Sequence, residues 1–575
     1  MTIAGAAGAW GDSSLSTPQL LRDGRADYII YEGLAEITMA ILSRAKEKDP
    51  DQGYARDLIA TIARNLEGYR GAGMKVITNA GGVNPRAAAN LIRAAGPSVS
   101  IAVVSGDDLM DRPDLLGSLT HQPMSANVYL GAQPIAAALD AGAEVVVTGR
   151  VVDSALALGP LIHEFGWLPD QLDLLSAGSL AGHLIECGPQ ASGGLMTDWE
   201  DMASWVDPGY PLVEVSEDGS LIVTTPEDSD GLVDVRTVSE QLLYEIGDPG
   251  RYVLPDVTCD WRQVSVEEVG PNRVSVSGAR GWAPPNTLKA CAQISDGWRA
   301  QMLLFIGGRD AVAKARRVGH DLIERGRRML DAAGLNDFRD THVEVIGSED
   351  SYGSNSRAVA AREVILDIAV HHDSREAVSV FIREVPSIAL SGPPGVSGGG
   401  AGLPRPTPLV RLDCFPVPRE AVIAVVEVDR KSVEVLPTPV SGNSSPTEVS
   451  CVKSYEGPTI SVPLVAIAHG RSGDKGADVN IGIRVRHVDF YPTVLRELTA
   501  ERVAGHLDHL GATSVVRYDL PGIHAVNFLL EGGLGEGGTA SLRFDPQGKA
   551  VAQQLLDVEI EIPADLAEHP AMREI

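Results

Sequence analysis

Five times in the first 200 or so residues, a short apolar run ends in a turn rich in glycine or polar residues, and for most of them an amphipathic stretch follows. The predicted strands are Thr2–Ala4, Tyr28–Tyr31, Met74–Thr78, Ser100–Val104 and Ala143–Val147. They lead into Gly5-Ala-Ala-Gly-Ala-Trp-Gly-Asp12, Glu32-Gly33, Asn79-Ala-Gly-Gly-Val-Asn-Pro85, Ser105-Gly-Asp-Asp108 and Thr148-Gly-Arg-Val-Val-Asp153. Apolar runs of this length between turn signals read as buried strands, and strand–turn–helix repetition predicts an α/β fold with a mostly parallel, doubly wound sheet. In such a sheet the loops after the strands share one edge, where ligands bind. That geometry gathers Gly8, Asn79, Gly82, Asp107, Thr148 and Arg150 at one rim.

Further organisation follows from composition shifts. At 575 residues the chain exceeds one compact domain. Residues 1–435 read as an α/β region, with the sheet in about 1–200 and a mixed part in about 200–435. The mixed part holds predicted strands Leu221–Thr224, Arg273–Ser277 and Val364–Ala369 and predicted helices Ser295–Phe305 and Ala311–Ala333. Its Pro/Gly-rich stretch 391–402 reads as either a lid or a connection. Residues 436–458 read as a linker, opening with the Pro/Ser/Thr-rich LPTPVSGNSSPTEVS. Residues 459–575 read as an α+β unit: strands Val462–Ala468, Asn480–Arg486, Ala525–Glu531 and Ala540–Phe544, a helix around Tyr491–His506 and a last helix.

Charge and cysteine usage exclude several functions. A net charge of −29 repels nucleic acid, so the expected partner is a small molecule bound by local Arg, Lys or backbone N–H groups. Five scattered cysteines, with no C-x-x-C pair, argue against a disulfide framework and a cysteine zinc site. No basic, apolar leader and no run of about 18 apolar residues is present, so the expectation is a cytoplasmic protein without membrane spans. A homo-oligomer is expected.

The loops supply candidate site residues. In the Asn79 loop, Gly81 and Gly82 let backbone N–H groups approach a ligand, Asn79 offers donor and acceptor, and Asn84-Pro85 opens a helix; a plain turn capped by Asn84 is the alternative. Thr148, Arg150 and Asp153 form either a carboxylate or phosphate clamp or a local ion pair. Gly8 and Asp12 belong to the first loop, whose glycines do not match a dinucleotide fingerprint; a nucleotide-linked oxidoreductase is therefore disfavoured. His183 and Glu186, at i, i+3 on a helix, suit acid–base work, with a buried polar pair as the alternative. Neighbouring Cys187 reads as a small buried hydrophobe.

The densest polar stretch is Ala468-His-Gly-Arg-Ser-Gly-Asp-Lys-Gly-Ala-Asp-Val-Asn480, read as a loop between strands. His469, Asp474 and Lys475 are candidates for catalysis there, and Arg471, Ser472 and Asn480 for substrate binding; a decorated hairpin is the alternative. His371-His372 and His506-x-x-His509 read as surface histidines. No metal site is expected, because the third and fourth ligands are not visible.

The segments GAAGAWGDS, VITNAGGVNP, VVVTGRVVDSALALGPLIHEFGW, AGSLAGHLIECGPQASGG, VSEQLLYEIGDPGRYVLPDV and AHGRSGDKGADVNIGI resemble the acyclic terpene utilisation (AtuA) family. The last segment resembles the family's ferredoxin-like C-terminal domain. The resemblance implies catabolism of acyclic terpenes such as citronellol and geraniol, or of similar branched acyl compounds as CoA thioesters. It assigns no residue roles. The expectation is an enzyme acting on a branched acyl-CoA or carboxylic acid by hydration or dehydration, hydrolysis or C–C cleavage. No cofactor is identified beyond CoA as part of a substrate. The alternative is a non-catalytic binding or assembly subunit of an acyl-CoA pathway enzyme.

Overall fold

The computed structural model describes residues 1–117, 119–398, 402–435, 438, 440, 455–538 and 540–573. Each of the five apolar runs is a strand: β1 (Thr2–Gly8), β2 (Tyr28–Glu32), β3 (Lys75–Thr78), β4 (Ile101–Ser105) and, after β5 (Ser125–Val128), β6 (Val145–Thr148). Buried at almost every position, these strands need cover on both faces. Ile29, Val76 and Val147 pack with Leu20, Ile59, Ile62 and Ile92 from helices on one side. Their sequence neighbours Ile30, Ile77 and Val146 point the other way, to Ile135, Leu158, Leu161 and Leu180. That is the period-2 alternation of strands.

The sheet as a whole is mixed, which corrects the mostly parallel, doubly wound expectation. β1, β2, β3, β6 and β4 lie side by side in that order, all parallel. Antiparallel strands extend both edges: Leu212–Val215, Leu221–Thr224, Arg273–Ser277 and Ser265–Gly270 beyond β1, and Val425–Val428 and Lys431–Val433 beyond β4. The antiparallel strands come from hairpins at residues 212–277 and 425–433, whose pairing with β1 and β4 is non-local.

A second sheet is built on the 21-residue strand Thr287–Gly307, paired with Glu363–His372, Thr407–Pro418, Val396–Gly398 and β5. The predicted helix Ser295–Phe305 is therefore strand. Ala300, Met302, Leu304 and Ile306 are buried under helices Ala311–Ala332 and Arg375–Glu384, whereas Leu303 and Phe305 are exposed on the opposite face. Apolar residues on both faces hid the alternation. His371 and His372 are buried, not on the surface, and face the carbonyls of Asp296 and Asn336 at 2.6 and 3.0 Å. Cys291 and Cys414 sit opposite each other on adjacent strands and are disulfide-bonded, although the scattered cysteines argued against a disulfide framework.

In the C-terminal unit, strands Ala468–Lys475, Asp478–Val485, Ala525–Glu531 and Ser514–Leu520 form an antiparallel sheet in that order. Thr459–Pro463 pairs separately with Glu559–Pro563. Helices Tyr491–Glu497, Ala500–His506 and Val551–Leu556 cover the face bearing Ile481, Ile483 and Phe528. The predicted strand Ala540–Phe544 has no strand at its described residues. Most of the predicted linker, Cys451 and residues 399–401 of the 391–402 stretch lie outside the described residues. No helix among the described residues is long and apolar enough to cross a membrane.

Candidate functional site

Because β2, β3 and β6 are parallel neighbours, their carboxyl ends converge. Glu32 closes β2, and Asn79 follows β3 directly. The buried Asn79 side chain accepts from Gly33 N–H at 2.9 Å and donates to Glu32 Oε1 at 3.1 Å and Asp153 Oδ1 at 3.4 Å. Arg150, buried after β6, donates to the Leu34 carbonyl and to Asp153 at 3.3 Å, and stacks over the Tyr129 ring at 4.2 Å. Its own N–H is held by Asp107 at 2.8 Å. The close approach of these loops requires glycine at 81, where a Cβ would meet the Thr148 carbonyl at 2.4 Å. Asn79, Arg150 and Asp153 thus form one cluster with Glu32.

Glu32 is the residue that sequence reasoning passed over. Its carboxylate is fully buried, and this desolvation pushes its pKa up to about 7, against the Leu34 N–H, Arg150 and Asn79, which favour the charged form. The only signal was an acid terminating the otherwise apolar strand YIIYE. Burial likewise raises Asp107 to about 6.

His183 and Glu186 pair as predicted, at 3.1 Å, and Glu186 is close enough to raise the pKa of Glu32. The His183 Nε2 faces the carbonyls of Gln241 and Leu242 at 3.0 and 3.3 Å, so it carries a proton. Its Nδ1 faces Glu186, which makes His183 an anchor for the carboxyl rather than a group that reaches substrate. Tyr252 stacks near His183 and feels both Glu186 and Asp153.

Other candidates are placed in supporting positions. Asn84 caps the helix Pro85–Ala95 and donates to the carbonyls of Pro50 and Gln52, as its bland reading had it. Thr148 donates to the Gly149 carbonyl, and Gly82 adopts a left-handed φ of 52° in the turn. Asp12 accepts from Gly8 N–H and the Tyr210 hydroxyl, both at 2.9 Å, and a Cβ on Gly8 would strike Cys187.

The polar stretch 468–480 is not a loop. It is the first hairpin of the C-terminal sheet, turning at Gly476-Ala477. His469, Arg471, Gly473 and Lys475 alternate onto the face that docks against the N-terminal region, joined by Asn480. His469 faces the buried Asp198 at 3.1 Å, and burial and Arg486 push its pKa well below the usual value. Arg471 donates to the Leu195 carbonyl at 3.0 Å and to Gln190, and lies over Tyr244. Asn480 accepts from Gly247 N–H and donates to the Leu243 carbonyl, each at 2.9 Å. Ser472 points into its own domain, to the Gly548 carbonyl. These four dock or pack. The alternation H-x-R-x-G-x-K was the available signal for a strand.

Only the tip of the hairpin approaches the rim. Lys475 donates to the Glu245 carbonyl at 2.6 Å and lies 4.9 Å over the Tyr252 ring, and Asp474 is 3.4 Å from Lys549. Tyr252 therefore links the Glu186 side of the site to Lys475 within one chain. A separate trio, His487, Asp489 and His569, is spaced for a metal ion. However, His569 Nδ1 is taken up by Ala571 N–H at 3.1 Å, and its Nε2 lies 3.4 Å from Asp489.

The family model for the acyclic terpene utilisation family protein AtuA matches residues 1–428, and that for the AtuA ferredoxin-like domain matches residues 462–561. The chain belongs to the AtuA family. No curated protein and no solved structure matches it. AtuA membership implies involvement in acyclic terpene utilisation, and the ferredoxin-like unit is the one whose hairpin brings Lys475 to the rim.

Proposed function

We propose that this AtuA-family chain is an enzyme acting on a branched acyl-CoA or carboxylic acid, with water addition or loss as the reaction that best suits its groups. The observation that carries the reading is Glu32, a buried carboxyl with a pKa of about 7 beside a cation and a second carboxyl. Such a group is both acid and base near neutral pH, which is what proton transfer demands. In hydration of a 2-enoyl thioester, Glu32 would take a proton from water as the oxygen attacks the β carbon. The electron pair moves towards the thioester oxygen, and Glu32 returns that proton to the α carbon. Arg150 is the cation able to offset the transient negative charge.

The test is incubation of the full chain with branched 2-enoyl-CoA thioesters and mass spectrometry for gain or loss of one water. Glu32→Gln should lower turnover by about 100-fold or more. Wild-type turnover in that variant sinks the reading. The absence of product from any thioester, together with co-purification of an acyl-CoA pathway enzyme, favours an assembly subunit instead.

A further inference from the structure

Beside the rim, where the N-terminal loop, the second sheet and the C-terminal unit meet, lies a cavity of about 480 Å³. Ala35 borders it from the loop after β2, one residue past the Leu34 whose carbonyl receives Arg150 and whose N–H binds Glu32. Its lining combines Leu303, Leu412 and Phe544 with two guanidinium groups, Arg299 and Arg543. Leu303 and Phe544 are exposed there, an apolar wall of the kind a ligand covers.

The two arginines differ from most in the molecule. With a net charge of −29, this chain pairs many of its arginines directly with a carboxylate. Arg299 and Arg543 have no carboxylate within 4.0 Å among the described residues. Arg299 donates to the Ser541 carbonyl at 3.1 Å, and Arg543 to the carbonyls of Gly533 and Leu510 at 2.7 and 2.9 Å. Those carbonyls orient the guanidinium planes without neutralising them. Burial disfavours the charge on both. The nearby acids are engaged elsewhere: Asp474 with Lys549, Asp367 with Gln301 at 2.7 Å, and Glu344 with Phe544 N–H and His342.

We propose that this cavity binds an amphipathic acyl ligand, with its carboxylate or phosphate between Arg299 and Arg543 and its hydrocarbon against Leu303, Leu412 and Phe544. The assignment rests on the reading of the protein as acting on acyl compounds and names where such a ligand is held. It also makes the site composite, since strand Thr287–Gly307 and the C-terminal segment 543–547 each supply one wall.

Isothermal titration calorimetry of the full chain tests it with three probes: citronellate, citronellyl-CoA and free CoA. Arg299→Gln and Arg543→Gln should each weaken binding by about tenfold or more, the scale of a charge-assisted hydrogen bond. Arg86→Gln, which breaks an ion pair elsewhere, should leave affinity unchanged. Leu303→Trp, at an exposed lining position, should block the cavity without touching a core. Arginine-dependent citronellate binding assigns the carboxylate; arginine dependence confined to citronellyl-CoA, with free CoA competing, assigns a phosphate. Equal affinity in wild type and both arginine variants, or no binding of any probe to the wild type, overturns the proposal. Arginine-dependent binding without turnover leaves the cavity standing and removes the catalytic reading. Turnover undiminished in the double variant does the reverse.

Discussion

Glu32 shows how a buried carboxyl can cost stability. Its folded pKa of about 7 lies above the ordinary 4.5, so folding favours the protonated form. The contribution is intact below about pH 4.5 and is lost as pH rises towards 7, because the unfolded chain releases the proton first. The full difference amounts to about 3 kcal/mol. Glu32→Gln, which keeps an acceptor for Leu34 N–H, should therefore gain stability over wild type at pH 8 by up to about 3 kcal/mol, with little gain at pH 5. Urea unfolding at the two pH values checks this; an equal difference at both would show that Glu32 is not protonated by burial. Residues of this kind are poorly legible in a sequence. Asn79 and Arg150 were visible because loop glycines flank them, whereas Glu32 acquires its chemistry only from burial among strands that are distant in the chain. His183 and Glu186 were legible because helical spacing is local. What His469 meets was not legible, because its partner Asp198 lies 271 residues away.

At the scale of elements, the strand Thr287–Gly307 was the largest misreading and is the most instructive. Its outward face carries Leu303 and Phe305, which removed the polar half of the expected alternation, and Leu303 proves to line the cavity. The same strand bends where its register with Thr407–Pro418 shifts between Ser295 and Trp298. Gly297 lies in that bulge with φ at 83°, and a Cβ there would sit 2.7 Å from the His372 carbonyl. Both strain and contact oppose any side chain, so Gly297→Ala should cost about 1–3 kcal/mol. Chemical denaturation measures that loss. A cost near zero would mean that the bulge adjusts its backbone freely. The five parallel strands, by contrast, were legible because their burial on both faces leaves uninterrupted apolar runs.

The molecule as a whole depends on contacts between regions far apart in sequence, which explains why a mixed sheet and a docked C-terminal unit were not foreseen. Local periodicity locates a strand but not its partner, and the strands that flank β1 and β4 come from residues 212–277 and 425–433. The docking of the C-terminal unit centres on Asp198, whose carboxylate receives Arg486 at 2.7 and 2.8 Å, Arg236 at 3.0 Å and Arg573. Hydrogen bonding to Arg486 and the surrounding positive charge hold its pKa well below the usual carboxylate range despite burial. A depressed folded pKa means that this contribution is present above the unfolded value and is lost as pH falls through it to the folded one. Asp198→Asn would leave the buried Arg486 guanidinium without its carboxylate, while Arg236 keeps Asp234 and Asp201 and Arg573 keeps Glu200; the expected loss is about 3–5 kcal/mol. Because Arg486 and Arg573 belong to the C-terminal unit, the loss should fall on docking: thermal unfolding should separate into two transitions, and the C-terminal hairpin amides should lose hydrogen-exchange protection. Asn480→Ala, which strands Gly247 N–H and the Leu243 carbonyl, should weaken the same contact by about 1–3 kcal/mol. If the site does include Lys475 from the hairpin and Arg543 beyond it, both variants should also lower ligand affinity although neither residue lines the cavity. A single cooperative transition and unchanged affinity in Asp198→Asn would show that the C-terminal unit is held in place by apolar packing alone.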